Sequence, residues 1–195
     1  MFKVQELAYS GGIIGKLDAR KTIMSSDGNQ VFAAFQVTLD PSSTREARHN
    51  AESYLERLKS APSGLMNIYT VVQNAHVHCS DLESAEVYTQ LALSILDDWM
   101  KMHWNTLSDP DQQKVRNDVL ALLLNPPPTL VQSNSKALRS KLAVILCNVA
   151  ERTFPQQWPT LLEDLVSNVW LNAAATHSQR EVCIDTLEYL VTDCV

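Results

Sequence analysis

The apolar residues of this chain recur every three or four positions over most of its length after residue 28. The clearest series is Ala47, Ala51, Tyr54, Leu55 and Leu58, which would fall on one side of an α-helix. Short segments rich in proline, serine, asparagine or glycine separate such stretches. The pattern therefore predicts about eight amphipathic helices.

The predicted helices fall into pairs at a regular distance. The second helices of the pairs begin near residues 42, 81, 135 and 177, so they are roughly 40 to 54 residues apart, close to the period of HEAT-type repeats. Each hairpin has one apolar face that it cannot bury alone, so successive hairpins must stack. We therefore predict an all-α fold, an α-solenoid of about four HEAT-type helix pairs in a right-handed superhelical array.

Several local signals mark where the helices begin and end. Pro110 suits the first turn of a helix, and Asn125 with the prolines at 126–128 would end that helix and form a loop. Serine and glutamate three residues apart, the spacing of a capping box, stand at three predicted helix starts. These pairs are Ser43 with Glu46, Ser80 with Glu83, and Ser178 with Glu181.

The stretch RTFPQQWPTLL, residues 152–162, interrupts two helical patterns with two prolines and a tryptophan. Pro155 would stop the helix that ends at Phe154, and Pro159 suits the first turn of the next helix. Trp158 would pack its ring between successive repeats. We predict that these four residues form a structural joint.

Composition and charge narrow the function classes. Apolar residues make up 45% of the chain and charged residues 19%, as in ordinary globular proteins. The net charge of -6, with no basic stripe, gives no reason to expect that this chain alone grips nucleic acid. The four cysteines form no C-x-x-C pair, which favours free thiols in a reducing compartment.

The ends of the chain differ from its repetitive middle. Three of the five glycines precede Gly28, and residues 1–28 show no sustained period, so we expect them to form a poorly ordered N-terminal extension. Neither a secretory signal nor an apolar run long enough to span a membrane is present. An apolar stripe still runs at Val195, and we expect an N-terminal piece of a longer protein.

No motif predicts catalysis, a metal or a cofactor. His76, His78 and Cys79 lie close in sequence, but a zinc site would need a fourth ligand at suitable spacing. The stretch GGIIGKL has Leu17 where a phosphate-binding loop requires serine or threonine. The remaining histidines stand far from any recognisable nucleophile, so we predict that the chain is not an enzyme.

The segment KLAVILCNVAERTFPQQWPTLLEDL resembles the importin-β/exportin (karyopherin-β) superfamily, in which an amphipathic helix is followed by F/W-P-x-x-W-P and a leucine-rich helix. Two further runs are most similar to the exportin-five branch of this superfamily. They are LALSILDDWMKMHWNTLSDPDQQKVRNDVLALL and DPSSTREARHNAESYLERLK. The resemblance covers residues 29–195, which would be the N-terminal HEAT repeats. Residues 1–28 and the prolines at 126–128 do not match, and the prolines resemble a lineage-specific loop.

The resemblance implies a nuclear export receptor that shuttles between nucleus and cytoplasm. Its expected partners are Ran-GTP, nucleoporins, and a cargo of double-stranded RNA such as microRNA precursors, or of proteins. It implies no cofactor and no membrane insertion. The alternatives are an import receptor of the same superfamily, from which Ran-GTP expels cargo, and a static HEAT-repeat scaffold that does not respond to Ran.

The resemblance also implies where Ran-GTP would bind. Receptors of this kind contact Ran through the inner helices of their first repeats, here expected near residues 43–59, 81–103, 135–153 and 177–194. Polar residues off the apolar stripes of these helices are the candidates for Ran binding; the alternative is an ordinary solvated face. The candidates are Arg45, Arg48, Asn50, Glu86, Gln90, Asp97, Asp98, Arg139 and Lys141.

Overall fold

The structure, a computed structural model, describes residues 26–193, which contain nine α-helices and no strand. The helices are α1 Ser26–Leu39, α2 Arg45–Ser60, α3 Gly64–His78, α4 Leu82–His103, α5 Asp109–Leu124, α6 Pro128–Gln132, α7 Lys136–Thr153, α8 Leu161–Leu165 and α9 His177–Asp193. Most of the expected N-terminal extension, the GGIIGKL stretch and Cys194 lie outside the described residues. Helix α1 begins at Ser26, so residues 26–28 belong to the first helix.

The long helices form two layers of stacked hairpins. The inner helices α2, α4, α7 and α9 form one layer, in which each contacts the next in chain order. Helices α1, α3 and α5 pack against this layer and form the second one. The most extensive packing joins α3 to α4 and α7 to α9. This arrangement confirms the prediction of an all-α fold built as a HEAT-type solenoid.

One apolar core runs through all the hairpins. Its centre is formed by side chains of α4 and α7, among them Leu93, Leu96, Ile145 and Leu146, each at most 1% exposed. Burying a leucine or isoleucine side chain stabilises the fold by about 1.5–3 kcal/mol. Stacking therefore supplies the stability that a single hairpin could not provide.

The inner helices begin almost where the apolar pattern places them, but other residues cap them. Thr44 accepts a hydrogen bond from the backbone of Ala47 at 3.2 Å, and Asp81 accepts one from Ser84 at 2.7 Å. The third cap is Thr176. The predicted capping boxes at Ser43, Ser80 and Ser178 are therefore wrong by one or two residues. Neighbouring hydroxyl and carboxylate side chains suit the role equally well, and the extended backbone of Thr44 and Asp81 decides it.

Two prolines lie differently from the prediction. The third residue of the triplet, Pro128, begins the short helix α6, and Thr129 and Leu130 of that helix are buried against α3 and α4. Pro126 and Pro127 form the short connection between α5 and α6, as predicted, so only Pro128 departs from the predicted loop. Helix α8 begins at Leu161, so Pro159 precedes its first turn, and Val166–Trp170 continues it as a π-helix.

The side chain of Gln179 fixes the ends of two helices at once. Its Oε1 accepts hydrogen bonds from the backbone N–H (2.8 Å) and hydroxyl (3.0 Å) of Thr176, which completes a capping box at the start of α9. Its Nε2 donates to the carbonyl oxygens of Leu123 at 2.8 Å and Leu124 at 3.4 Å, at the end of α5. One amide therefore sets where α9 starts relative to α5.

We expect Gln179→Glu to destabilise the chain by about 1–2 kcal/mol, because the capping oxygen stays while the donor to α5 is lost and a carboxylate faces two carbonyl oxygens. Gln179→Ala loses both interactions and is expected to cost more. Urea unfolding followed by circular dichroism measures both. The control is Gln113→Glu on the exposed side of α5, expected within about 0.5 kcal/mol of wild type. Equal effects at the two positions would contradict the double role of Gln179.

Within residues 26–193, no helix is long and apolar enough to cross a membrane.

Candidate partner-binding surface

The nine polar residues predicted to face a partner lie on three inner helices that touch in sequence order. They are Arg45, Arg48 and Asn50 on α2, Glu86, Gln90, Asp97 and Asp98 on α4, and Arg139 and Lys141 on α7. Because α2 packs on α4 and α4 on α7, these positions belong to neighbouring parts of one layer. Their contacts divide them into two groups.

An ion pair joins α2 to α4 at the C-terminal end of α2. The Nζ atom of Lys59 lies 3.3 Å from Oδ2 of Asp98 and 3.0 Å from Oε1 of Glu56 in its own helix. The Asp98 side chain is 49% exposed, so water screens the pair, and such pairs are worth about 1 kcal/mol at most. The pair therefore orients the two helices more than it stabilises them.

A buried carboxylate joins α4 to α7. Asp97 is only 2% exposed, and its Oδ2 accepts hydrogen bonds from Nζ of Lys141 at 2.8 Å and Nζ of Lys101 at 3.0 Å. Its Oδ1 accepts one from the side-chain amide of Asn148 at 2.8 Å. Two of the three donors come from α7. Both oxygens are thus satisfied, which a buried charge requires.

The environment of Asp97 keeps it ionised. Burial alone would raise the pKa of this carboxyl, but the hydrogen bonds from Lys141 and Lys101, and their positive charges, outweigh burial and hold the pKa below its usual range. The carboxylate is therefore charged at neutral pH, and the link between α4 and α7 is ionic.

A third ion pair joins α7 to α9. The Nε atom of Arg139 lies 2.6 Å from Oε2 of Glu181, and Nε2 of His177 lies 3.2 Å from Oε1 of the same carboxylate. The side chains of Arg139 and Glu181 are 18% and 35% exposed. Each contact between successive inner helices therefore contains one ionic link.

We call these three links the ionic ladder. Its members are Lys59, Asp97, Asp98, Arg139, Lys141 and Glu181. Four of them are among the nine predicted partner contacts. Their charges are already used within the chain, so their first role is to position the inner helices. Sequence reasoning missed this role because the paired residues stand about 40 positions apart.

The other five candidates have more open side chains. Arg45, Asn50 and Gln90 are exposed, while Arg48 and Glu86 are half-buried. Arg48 donates from Nη2 to the carbonyl oxygen of Asp40 at 3.2 Å, and its buried Nε finds no acceptor among the described residues. These five are the predicted residues that a partner can reach most directly.

The first turns of α2 border an open depression of about 660 Å³. It is lined by Arg45, Glu46, Arg48, His49 and Glu52, so charges of both signs face it. Such a surface suits a polar protein partner better than an apolar ligand, because apolar ligands bind in mainly hydrophobic pockets.

The predicted joint residues differ sharply in burial. Trp158 is 2% exposed, and its indole Nε1 donates to Oδ2 of Asp164 at 2.8 Å. The guanidinium of Arg116 on α5 lies 5.6 Å from the centre of its ring, within the range of a cation–π contact. Phe154 is 40% exposed, and Pro155 and Pro159 are exposed as well. Trp158 alone of the four lies in the core.

A second cavity, of about 440 Å³, lies where α1, α3 and α4 meet. Phe32 and Tyr88 line it, and the ring of His78 stacks on Phe32 with centroids 4.1 Å apart. Burial, and then the nearby carboxylate of Asp81, raise the pKa of the Cys79 thiol in its wall. At neutral pH this group is a thiol and a poor nucleophile, so Cys79 is not activated for covalent chemistry.

The histidine pair of the sequence lies in the last turn of α3. His76 and His78 are both exposed there, and Cys79 follows as the residue that ends the helix. Within residues 26–193, no three histidine, cysteine or acidic side chains are grouped as a metal site would need.

Comparisons with known proteins agree with this architecture. A family model described as exportin 1-like protein matches residues 135–195. Exportin-5 of Dictyostelium discoideum is 24% identical over 170 residues, which cover 86% of this chain and 13% of that protein. Human exportin-5 is 24% identical over 141 residues, 70% of this chain and 11% of its own length.

The chain is similar to exportins over most of its length. An importin beta-like SAD2 homolog of Arabidopsis thaliana is also 24% identical, over 131 residues that cover 64% of this chain and 11% of that protein. The predicted resemblance to the importin-β/exportin superfamily is thereby confirmed. The chain spans 11 to 13% of the length of these three relatives.

Proposed function

We propose that this chain is a segment of a nuclear export receptor and that its inner helices bind Ran-GTP. The observation that carries the proposal is the similarity to proteins named exportin-5 over 70 to 86% of the chain. The layered helices support it, because they offer side chains of successive hairpins to one protein partner. Such a receptor would shuttle between nucleus and cytoplasm. It would act by binding Ran-GTP and cargo and would not catalyse a reaction.

The nine candidate residues take two roles in this proposal. Arg45, Asn50 and Gln90 would contact Ran-GTP directly, with Arg48 and Glu86 at the edge of the contact. Asp97, Asp98, Arg139 and Lys141 would act as positioning residues through the ionic ladder. Loss of a contact residue would weaken Ran binding without changing the fold, whereas loss of a ladder residue would change both.

The expected result of a capture experiment is preference for one nucleotide state. Immobilised chain should retain Ran loaded with a non-hydrolysable GTP analogue at least about fivefold better than Ran-GDP, the lower end of usual coupling between linked ligands. The triple variant Arg45→Ala/Asn50→Ala/Gln90→Ala should lose most of this capture. The control is Arg57→Ala, an exposed arginine on α2 outside the candidate set.

Equal capture of the two nucleotide states would reject the Ran proposal and favour the static scaffold. Equal capture by the triple variant and wild type would keep Ran binding but reject the assigned contacts. Melting temperatures of all variants distinguish a lost contact from a lost fold.

The second candidate is an import receptor, which the similarity to an importin beta-like protein favours. Export and import receptors predict opposite effects of Ran-GTP on the binding of cargo. We propose double-stranded RNA with a short overhang, or a protein, as cargo of an export receptor, and nucleoporins as its partners at the pore. In the intact receptor, Ran-GTP should increase retention of a short hairpin RNA. A decrease would favour import.

A further inference from the structure

The first hairpin is held firmly at one end. The open end of α1 and α2, which we call the hairpin base, comprises residues 28–36 and 54–61. Phe35 of the base is 1% exposed, and its ring meets that of Tyr88 on α4 with centroids 5.8 Å apart. Phe32 stacks on His78 at the end of α3, with centroids 4.1 Å apart. Helix α1 is therefore anchored over the part of its length that belongs to the base.

The base of α2 is anchored by polar contacts from the last turns of α4. Trp99 donates from Nε1 to the carbonyl oxygen of Ala61 at 2.9 Å, and Nε2 of His103 lies 3.0 Å from the carbonyl oxygen of Lys59. The ion pair between Lys59 and Asp98 lies at the same place. Three side chains of α4 thus satisfy or neutralise groups at one end of α2, where helix carbonyls otherwise lack partners.

Within residues 26–193, no comparable anchor holds the closed end of the hairpin. We call residues 37–50 the hairpin tip. Leu39 is 44% exposed there, and the side chains of Thr38, Ser42 and Arg48 bond to the hairpin itself. Before Leu58, the only residue that α2 buries is Ala51. Regions with few buried apolar contacts open and move at low free-energy cost.

We propose that the first hairpin is a lever, pivoted at its base on α4 and free to swing at its tip. The tip carries Arg45, Arg48 and Asn50, so a partner that binds these residues would select one lever position from an existing range. By contrast, α4, α7 and α9 move as one block, because a buried carboxylate and extensive packing join them. The lever follows from contacts alone and does not depend on Ran.

Distance distributions between spin labels test the lever in the otherwise wild-type chain. Labels on non-canonical amino acids avoid the native cysteines. A tip pair at His49 and Gln90 and a base pair at Arg57 and Met102 both join α2 to α4, at exposed positions. We expect the tip distribution to be at least about twice as wide as the base distribution. A tip distribution no wider than the base distribution would overturn the lever.

A variant tests the pivot. Asp98→Asn/Trp99→Phe removes the ion pair and the indole donor, while it keeps the shape of the Asp98 side chain and most of the volume of the Trp99 ring. The base distribution should widen, and a control pair across α7 and α9, at Ala137 and Ile184, should stay unchanged. An unchanged base distribution would overturn the pivot. If this variant does not fold, the comparison of tip and base in wild type still decides the proposal. Failure to bind Ran would leave these distances unaffected, so the two proposals fail separately.

Discussion

Trp158→Ala is expected to lower the free energy of unfolding by about 3–5 kcal/mol, the usual cost of removing a fully buried aromatic side chain. The ring is 2% exposed and belongs to the apolar core, so its loss leaves a cavity there. A loss of this size would be a large fraction of the total free energy of unfolding of a typical domain, which is about 5–15 kcal/mol.

Two contacts besides packing involve this ring, and a third is made by the neighbouring residue Gln157. The indole N–H donates to Asp164, whose Oδ2 also accepts from the hydroxyl of Thr160 at 3.0 Å. The cation of Arg116 stands over the ring and its Nη1 donates to the carbonyl oxygen of Gln157. Trp158 thereby ties the start of α8 to α5. Trp158→Phe keeps most of the volume and loses the donor, so a smaller cost of about 1–2 kcal/mol is expected.

Trp170→Ala is the matched control, because Trp170 lies 12 residues later in the same hairpin and is 46% exposed. Its cost should stay below about 1 kcal/mol, as for most surface substitutions. Urea unfolding followed by circular dichroism at 222 nm avoids the change in tryptophan fluorescence. If Trp158→Ala is as mild as Trp170→Ala, the ring does not fill the joint.

Helix positions could be predicted from the sequence because they depend on local spacing. The predicted inner helices 43–59 and 135–153 correspond to Arg45–Ser60 and Lys136–Thr153. Apolar residues at spacings of three and four fix such limits within a turn. Caps could not be predicted as well, because Ser43 and Thr44 are adjacent and chemically similar, and only backbone geometry selects Thr44.

Long-range contacts escaped prediction for a different reason. Asp97 and Asp98 are adjacent acidic residues that look alike in sequence, yet a rotation of 100° around α4 buries one and leaves the other 49% exposed. The partner of Asp97, Lys141, stands 44 positions away. Stacking of hairpins creates such pairs, and periodicity within one helix carries no information about them.

The proline triplet shows the same limit. A proline that ends one helix also suits the first turn of another, and both readings are local. Pro128 begins α6 because Thr129 and Leu130 can then be buried against α3 and α4. Whether Pro128 ends one helix or begins the next is therefore decided by a tertiary contact, which cannot be read from local sequence.

Asp97→Ala is expected to destabilise the chain by about 3 kcal/mol, the lower end of the cost of removing one partner of a buried ion pair. The lower end applies because the side chains of Lys141 and Lys101, 26% and 51% exposed, can turn toward water once the carboxylate is gone. Asn148 would still lose its acceptor. Asp97→Asn keeps the shape but sets an amide donor against other donors, so it should also destabilise.

The control is Asp118→Ala, which breaks the pair between Lys114 and Asp118 within α5. That carboxylate is 34% exposed, and its lysine, 3.0 Å away, is 56% exposed, so the expected cost is about 0.3–0.5 kcal/mol. A similar cost for Asp97→Ala and Asp118→Ala in urea unfolding would mean that α4 and α7 are joined by apolar packing alone.

The pH dependence isolates the charge of Asp97. Its pKa is lowered in the folded state, so its contribution is complete above the unfolded value of about 3.9 and is lost as pH falls through the folded value. Wild type and Asp97→Asn should therefore differ fully at pH 7, and the difference should shrink below about pH 4. A difference in unfolding free energy that stays constant from pH 7 to pH 3 would show that the effect of the variant comes from shape and not from the ionic link.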